Sequence, residues 1–268
     1  MLVLLPPSES KAAPPRRARP VDPENLSFPA LTGMRLRVLE ALAAVSAGPD
    51  AAARLGVGAS LAAEVERNTR LATLPAVAVS SLYTGVLYDA LDWPTLDAAA
   101  RRRGGDRLIV ASALWGALRP RDRVPPYRLS MGTDLPGVGA LAAAWRQVLG
   151  PALTGAAGRR GVVVDCRSAV YAAAWTPTGA LADRTAGIRV LREGPAGRSV
   201  VSHLAKHTRG EVARYLLVTG ADPRTVTELA EVLAERWEVE LVAPARPGRS
   251  WTVEVVVQGS PDGECLDS

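Results

Sequence analysis

The sequence predicts an α/β fold: a single compact domain in which a mixed sheet is surrounded by helices. Three observations predict it. Short, continuous apolar runs that read as buried strands alternate with longer segments of helical apolar spacing. No repeat and no linker-like stretch divides the 268 residues, so residues 1–268 read as one unit. Late in the chain, strand-like runs follow one another closely enough to pair antiparallel, which makes the sheet mixed.

The elements follow in order. Leu2–Leu5 reads as a buried strand ended by Pro6-Pro7. Residues 12–30 are rich in Pro, Ala and Arg and read as a flexible loop beside a site. From Arg35 to Ala47, Leu36, Leu39, Leu42 and Ala43 recur at helical spacing, and Gly48-Pro49 stops the helix. Residues 55–65, LGVGASLAAEV, place a glycine turn before an Ala-rich helix. Val77–Leu82 reads as a strand, Asp97–Arg103 as a short helix and Leu108–Ser112 as a central strand. Val138–Leu149 is amphipathic, and Val162–Asp165 is another buried strand. Ile188–Leu191 and Ser199–Ser202 read as paired strands around Glu193-Gly194. His203–Val218 and Val226–Arg236 read as helices, and Val239–Ala243 with Trp251–Val257 as a closing hairpin. Residues 258–268 form a polar tail.

Composition excludes several classes. No apolar run approaches the roughly 18 residues that span a bilayer. The opening MLVLL lacks a basic n-region and a cleavage site, so a cytoplasmic location without membrane contact is expected. Two cysteines, Cys166 and Cys265, make neither a disulfide framework nor a CxxC pair. His203 and His207 lie four apart, but Leu204 stands where the HExxH glutamate belongs, so no metal is expected. P-loop, GxGxxG and GxSxG patterns are absent, and no cofactor is indicated.

Charge is more informative. The net charge is +5, yet residues 221–268 carry 4 basic and 10 acidic side chains, which leaves the first 220 at +11. A basic body suits a polyanion such as nucleic acid or a nucleotide. Of the 32 basic residues only Lys11 and Lys206 are lysine. A chain so rich in arginine keeps lysine where a compact charge of tunable pKa is needed. Both sit in polar clusters, Ser8-Glu9-Ser10-Lys11 and His203-x-x-Lys206-His207-x-Arg209.

The segment Ser112–Gly132, SALWGALRPRDRVPPYRLSMG, runs from a buried strand into a proline-stiffened loop. It presents Arg119, Tyr127 and Arg128 at a strand's carboxyl end, where open α/β sheets bind ligands. Arginine suits bidentate capture of phosphate, and tyrosine stacks on bases. The competing reading is a structural loop held by Arg–Asp pairs such as Arg119 with Asp122. The turn Gly56-Val57-Gly58 with Ser60 is similar to a helix-hairpin-helix DNA element, whose backbone amides hold a phosphate; Ser60 as a plain helix cap explains it as well.

The Ser112–Gly132 pattern resembles the signature of the YaaA family of peroxide-stress proteins. The resemblance extends to Pro7-Ser8-Glu9-Ser10-Lys11, Tyr83-Thr84-Gly85, Ser168-x-x-Tyr171 and Lys206-x-x-Arg209-Gly210, in the family's order. It implies a mixed α/β fold with a basic cleft and a helix-hairpin-helix-like element, DNA binding, and a role in limiting oxidative damage. Here Asp165-Cys166-Arg167 precedes Ser168, histidines flank Lys206, and the acidic-aromatic tail of enterobacterial members is missing.

Two functions follow as expectations. One is a stress protein that binds DNA or another phosphate-bearing polyanion through the cleft, with Gly56, Gly58 and Ser60 on the DNA. The other is an enzyme acting on a small nucleotide- or nucleobase-type substrate. In that case Lys206, Lys11, Glu9 and Asp165 are the acid/base and anion-holding groups, and Ser8, Tyr83, Arg119, Tyr127, Arg128, Ser168, Tyr171 and Arg209 bind the ligand. Cys166 beside Arg167 reads as a thiolate nucleophile or, more simply, as a core residue.

Overall fold

All four side chains of Leu2–Leu5 (β1) are buried, and a strand apolar on both faces needs cover on both. In the computed structural model this strand lies inside the main sheet. The structure describes residues 1–13, 15, 17–194, 197–199 and 202–258. Cys265, the polar tail beyond Gln258, Pro14 and Arg16 of the expected loop, and Val200 and Val201 of an expected strand lie outside the described residues.

Leu108–Ser112 (β2) runs parallel to β1 and turns back antiparallel as Gly116–Leu118 (β3). On the other side of β1 lies Val163–Asp165 (β4), also parallel. Thr185–Gly194 (β5) continues the parallel set, and Gly197–Ser199 (β6) folds back on its far end. Glu238–Val242 (β7) pairs antiparallel with Trp251–Gln258 (β8), which is parallel to β5. The order is β7-β8-β5-β4-β1-β2-β3, with β6 on β5. The expected mixed sheet is therefore present, with parallel strands at its centre.

The helices that matter below are Thr32–Ser46 (α1), Ala62–Arg67 (α2), Val86–Leu91 (α3), Ala98–Arg107 (α4), Leu141–Ala157 (α5), Ser202–Thr219 (α6) and Val226–Ala234 (α7). Asp97 caps α4 by accepting the Ala100 amide at 2.7 Å. Several expectations change; Ser202, expected to end a strand, opens α6 instead. Only Val77–Ala78 is strand, paired with Arg123–Val124, and Val79–Leu82 is a helical turn. The Val79 and Ser80 amides are taken by the Asp122 and Pro120 carbonyls, at 2.8 and 3.0 Å, so no strand partner remains for them. Helix α5 continues through Gly150-Pro151 to Ala157, because Leu153 and Ala157 extend the buried stripe of Leu141, Trp145 and Leu149.

The segment expected as a flexible loop carries short 3-10 turns at Pro23–Asn25 and Pro29–Leu31 and buries Val21 and Leu26. Near the glycine turn, Gly56 takes φ +65 and Gly58 is the cap of the next turn, while Ser60 lies within that turn and caps nothing. Among the described residues, no helix is long and apolar enough to cross a membrane.

Candidate functional site

Three parallel strands end together, and each delivers polar residues to the same edge. After β1, Pro6-Pro7 turn the chain into Ser8–Lys11. Lys11 bridges antiparallel to Tyr83, the Ala12 amide donates to the Leu82 carbonyl at 2.8 Å, and Thr84 N–H donates to Ser8 Oγ at 3.2 Å. The turn after β1 is thus tied to the residues that lead into α3. Tyr88, one turn into α3, stacks on Tyr83 and donates its hydroxyl to the Pro6 carbonyl at 2.7 Å.

After β2, Ser112 Oγ accepts the Trp115 amide at 2.9 Å and shares a 2.7 Å hydrogen bond with the Tyr127 hydroxyl. The Tyr127 hydroxyl lies 3.0 Å from that of Tyr83. Tyr83 and Tyr127 are both buried, and burial holds both phenols protonated, well above the ordinary tyrosine range. Buried Asn68 fixes the next residue: its Oδ1 accepts the Arg128 amide and its Nδ2 donates to the Arg128 carbonyl, each at 2.9 Å. The Arg128 guanidinium then reaches Glu9 at 2.8 Å and Glu64 of α2 at 3.7 Å.

Lys11 is the centre of this arrangement. Its Nζ donates to the Ser8 carbonyl at 2.8 Å and to the Glu9 carbonyl at 3.2 Å. It lies 4.5 Å from the centre of the Tyr127 ring and 5.6 Å from that of Tyr83. Desolvation, helped by the Arg128 charge, outweighs Glu64 and Glu9 and lowers its pKa to about 7.

After β4 the picture is more structural. Asp165 is locked in a two-pronged pair with Arg167, at 2.9 and 2.7 Å. The Arg167 guanidinium also donates to the carbonyls of Tyr171 and Trp175, at 3.3 and 2.8 Å. Asp165 therefore orders the Ser168–Tyr171 turn and is not presented as a free base. Cys166 is fully buried, and burial pushes its thiol up to about 12, which removes the thiolate nucleophile at neutral pH. Ser168 opens a helical turn whose amides at Tyr171 and Ala172 donate to its carbonyl, at 3.0 and 2.8 Å. Half-buried Tyr171 joins the cluster; burial and then Tyr127 raise its pKa, with Glu9 and Arg128 also within electrostatic reach.

Helix α6 approaches from the side. A Cβ placed on Gly210 would lie 2.1 Å from the Leu87 carbonyl oxygen, so only glycine allows α6 to lie this close to α3. Arg214 donates to the Leu91 and Asp92 carbonyls, both at 2.9 Å. Positions 210 and 214 thus run towards the end of α3. Lys206 lies one turn earlier on α6. Lys206 is exposed and makes no hydrogen bond or ion pair among the described residues. Arg209 donates to the Ile188 carbonyl at 3.1 and 3.0 Å, which fastens α6 to β5. His203 and His207 are exposed, and His207 Nδ1 lies 3.4 Å from Glu211.

Arg119 does not join the cluster. Its guanidinium donates to the Asp106 and Leu108 carbonyls and lies over Phe28. Leu108 begins β2 and Ser112 ends it, roughly 13 Å apart at the usual rise per residue. The Arg119 amide donates to Asp122 Oδ2 at 2.7 Å, so the expected pairing with Asp122 exists through the backbone. A cavity of about 760 Å³ lies on the Arg119 side, lined in part by Arg19, Asp22, Ser27, Arg121 and Arg123, and excludes Lys11 and Tyr127. Around Lys11 the charges are balanced, Lys11 and Arg128 against Glu9 and Glu64. Asn68, Glu64 and Tyr88 were not visible as site residues in the sequence. They sit in ordinary helix-like stretches with no distinguishing pattern.

The sequence profile of the family described as Peroxide stress protein YaaA matches residues 1–241. The chain belongs to this family. Among relatives, a UPF0246 protein of Streptomyces coelicolor is 52% identical over 260 residues, covering 96% of this chain and 98% of its own length. UPF0246 proteins of Corynebacterium efficiens and Corynebacterium glutamicum are 37% and 35% identical, each over 96% of this chain and 100% of their own length.

Proposed function

We propose that this YaaA-family chain binds a phosphate-bearing, nucleotide-like ligand at the carboxyl ends of β1, β2 and β4, with Lys11 as its acid/base group. The observation that carries the reading is the convergence of Ser8–Lys11, Tyr83, Tyr127–Arg128 and Tyr171 from distant segments around one half-buried amine. The carboxyl edge of parallel strands is where open α/β sheets bind ligands. Arg128 and Lys206 supply the cations for phosphate, and half-buried Tyr171 supplies a surface for a ring. Titration calorimetry with nucleoside monophosphates tests this. Lys11→Met and Arg128→Met are expected to abolish binding, with unchanged melting temperature for Arg128→Met. Wild-type protein that binds none of the four nucleotides overturns the reading.

A second reading, duplex DNA binding in peroxide stress, is favoured by one observation. The turn Gly56-Val57-Gly58 exposes both its glycines and leads through α2 to Glu64, which contacts Arg128. A ligand long enough to touch the turn would reach the Lys11 cluster as well. Anisotropy with a labelled duplex tests it. Affinity should fall steeply with salt and weaken when Gly56 is replaced. A soluble enzyme or binding protein working in the cytoplasm is consistent with either reading.

A further inference from the structure

We infer that Lys11 is an imine-forming amine: it condenses with the aldehyde of a phosphate-bearing substrate seated at the strand ends. This rests on the ligand site proposed above and names the chemistry of what enters it.

The geometry is that of an amine held ready to attack. A neutral amine has two hydrogens and one lone pair. Lys11 Nζ has two acceptors, the Ser8 carbonyl at 2.8 Å and the Glu9 carbonyl at 3.2 Å. Both belong to the tight turn that carries Lys11 itself. With its two hydrogens directed to these carbonyls, a neutral Nζ keeps a lone pair that neither carbonyl engages. Among the described residues no carboxylate is bonded to the amine. Glu9 and Glu64 instead bracket Arg128, at 2.8 and 3.7 Å. The groups that face Lys11 are therefore Arg128, Glu9, Glu64 and the rings of Tyr83 and Tyr127. A buried environment that disfavours the ammonium is what an amine nucleophile needs at neutral pH, and a lowered pKa accompanies it. Lysine is one of only two in the chain here, and arginine cannot do this chemistry.

The step balances without a further reagent. The Nζ lone pair forms a bond to the carbonyl carbon, and the carbonyl π electrons move to oxygen, which takes a proton. The resulting hydroxyl leaves with one nitrogen hydrogen as water, and a carbon–nitrogen double bond remains. Arg128, with its side chain 16% exposed, is placed to hold the substrate's phosphate.

The test uses the full chain and two probes, glycolaldehyde phosphate and glycolaldehyde, each with sodium cyanoborohydride at pH 7. Intact mass and peptide mapping then locate the reduced adduct. At this pH an amine of pKa near 7 is about half neutral, whereas an ordinary lysine is neutral in roughly one molecule in two thousand. The expected result is one adduct on Lys11, formed at least about tenfold faster than on Lys206. It should form faster with the phosphate probe, and faster still as pH rises from 6 to 8. Because mapping reads the wild-type protein, the result does not depend on a Lys11 variant folding. An amine used only as acid or base leaves nothing for hydride to trap. No adduct, or equal labelling of Lys11 and Lys206, therefore overturns the inference. If the phosphate probe raises the melting temperature and no adduct forms, the imine fails and the ligand site stands. If it neither binds nor reacts, both fail.

Discussion

Gly210→Ala is a sharp test of how α6 is held. Alanine in a helix interior normally gains about 1 kcal/mol over glycine. Here the new methyl would meet the Leu87 carbonyl oxygen at 2.1 Å and the Ala90 Cβ at 2.9 Å. Both belong to backbone or a rigid side chain, so α6 itself must move. Restoring an ordinary 3.4 Å contact from 2.1 Å requires a shift of about 1.3 Å. Overpacking of this kind costs about 1–3 kcal/mol, enough to reverse the helix gain. Gly155→Ala in α5, where nothing lies within 4 Å of the new atom, is the matched control. Urea denaturation should place Gly210→Ala below wild type and Gly155→Ala at or above it. The displaced helix should also weaken ligand binding through Lys206. A Gly210→Ala variant as stable as Gly155→Ala would refute the close-approach argument.

Other outcomes follow from the same structure. Arg35 is fully buried and donates to the carbonyls of Trp115, Ser27 and Ala117, so Arg35→Met should cost at least about 3 kcal/mol in urea titration, because three acceptors lose their donor. Asn68→Ala should cost about 1–3 kcal/mol and raise the nucleotide Kd, since it frees both the amide and the carbonyl of Arg128. Lys11 gives a pH signature. Its folded pKa near 7 is below that of the unfolded chain, so the native state binds fewer protons between the two values, and stability rises with pH there. Wild type should therefore gain stability over Lys11→Met from pH 7 towards pH 10, with no change in the difference below about pH 6. Cys166 should resist thiol alkylation at pH 7.5 until the protein unfolds, because the thiol is fully buried and raised to about 12.

The central strands were legible because Leu2–Leu5, Leu108–Ala111 and Val162–Val164 are continuous apolar runs, which a strand covered on both faces needs. Val77–Leu82 was misjudged because a short apolar run does not separate strand from helical turn. The deciding partners, the Asp122 and Pro120 carbonyls, are 43 and 40 residues away. Scarcity made the two lysines visible, and of the two it is Lys11 that lies against the Tyr83 and Tyr127 rings. Arg119 was misplaced for a plain reason. Sequence proximity to Tyr127 does not reveal that the chain reverses at Gly116 and returns along β3 to the other end of β2. Gly116 itself takes φ +74 with the Trp145 ring 2.5 Å from where its Cβ would be. Much of the Ser112–Gly132 pattern is thus explained by turning and packing the chain, and only Tyr127 and Arg128 of its candidate groups face Lys11.

Arg128 stands between two carboxylates of different origin, Glu9 beside Lys11 and Glu64 on the helix that follows the glycine turn. Its charge is also one of the causes that lower the Lys11 pKa. Anything that draws the guanidinium away from Lys11, such as an anion seated near the glycine turn, lets Lys11 hold its proton more tightly. Thermodynamic reciprocity then requires that protonating Lys11 strengthen the binding of that anion by the same factor. The two surfaces would therefore behave as one proton-linked unit, with occupancy of the turn reporting the charge state of the amine.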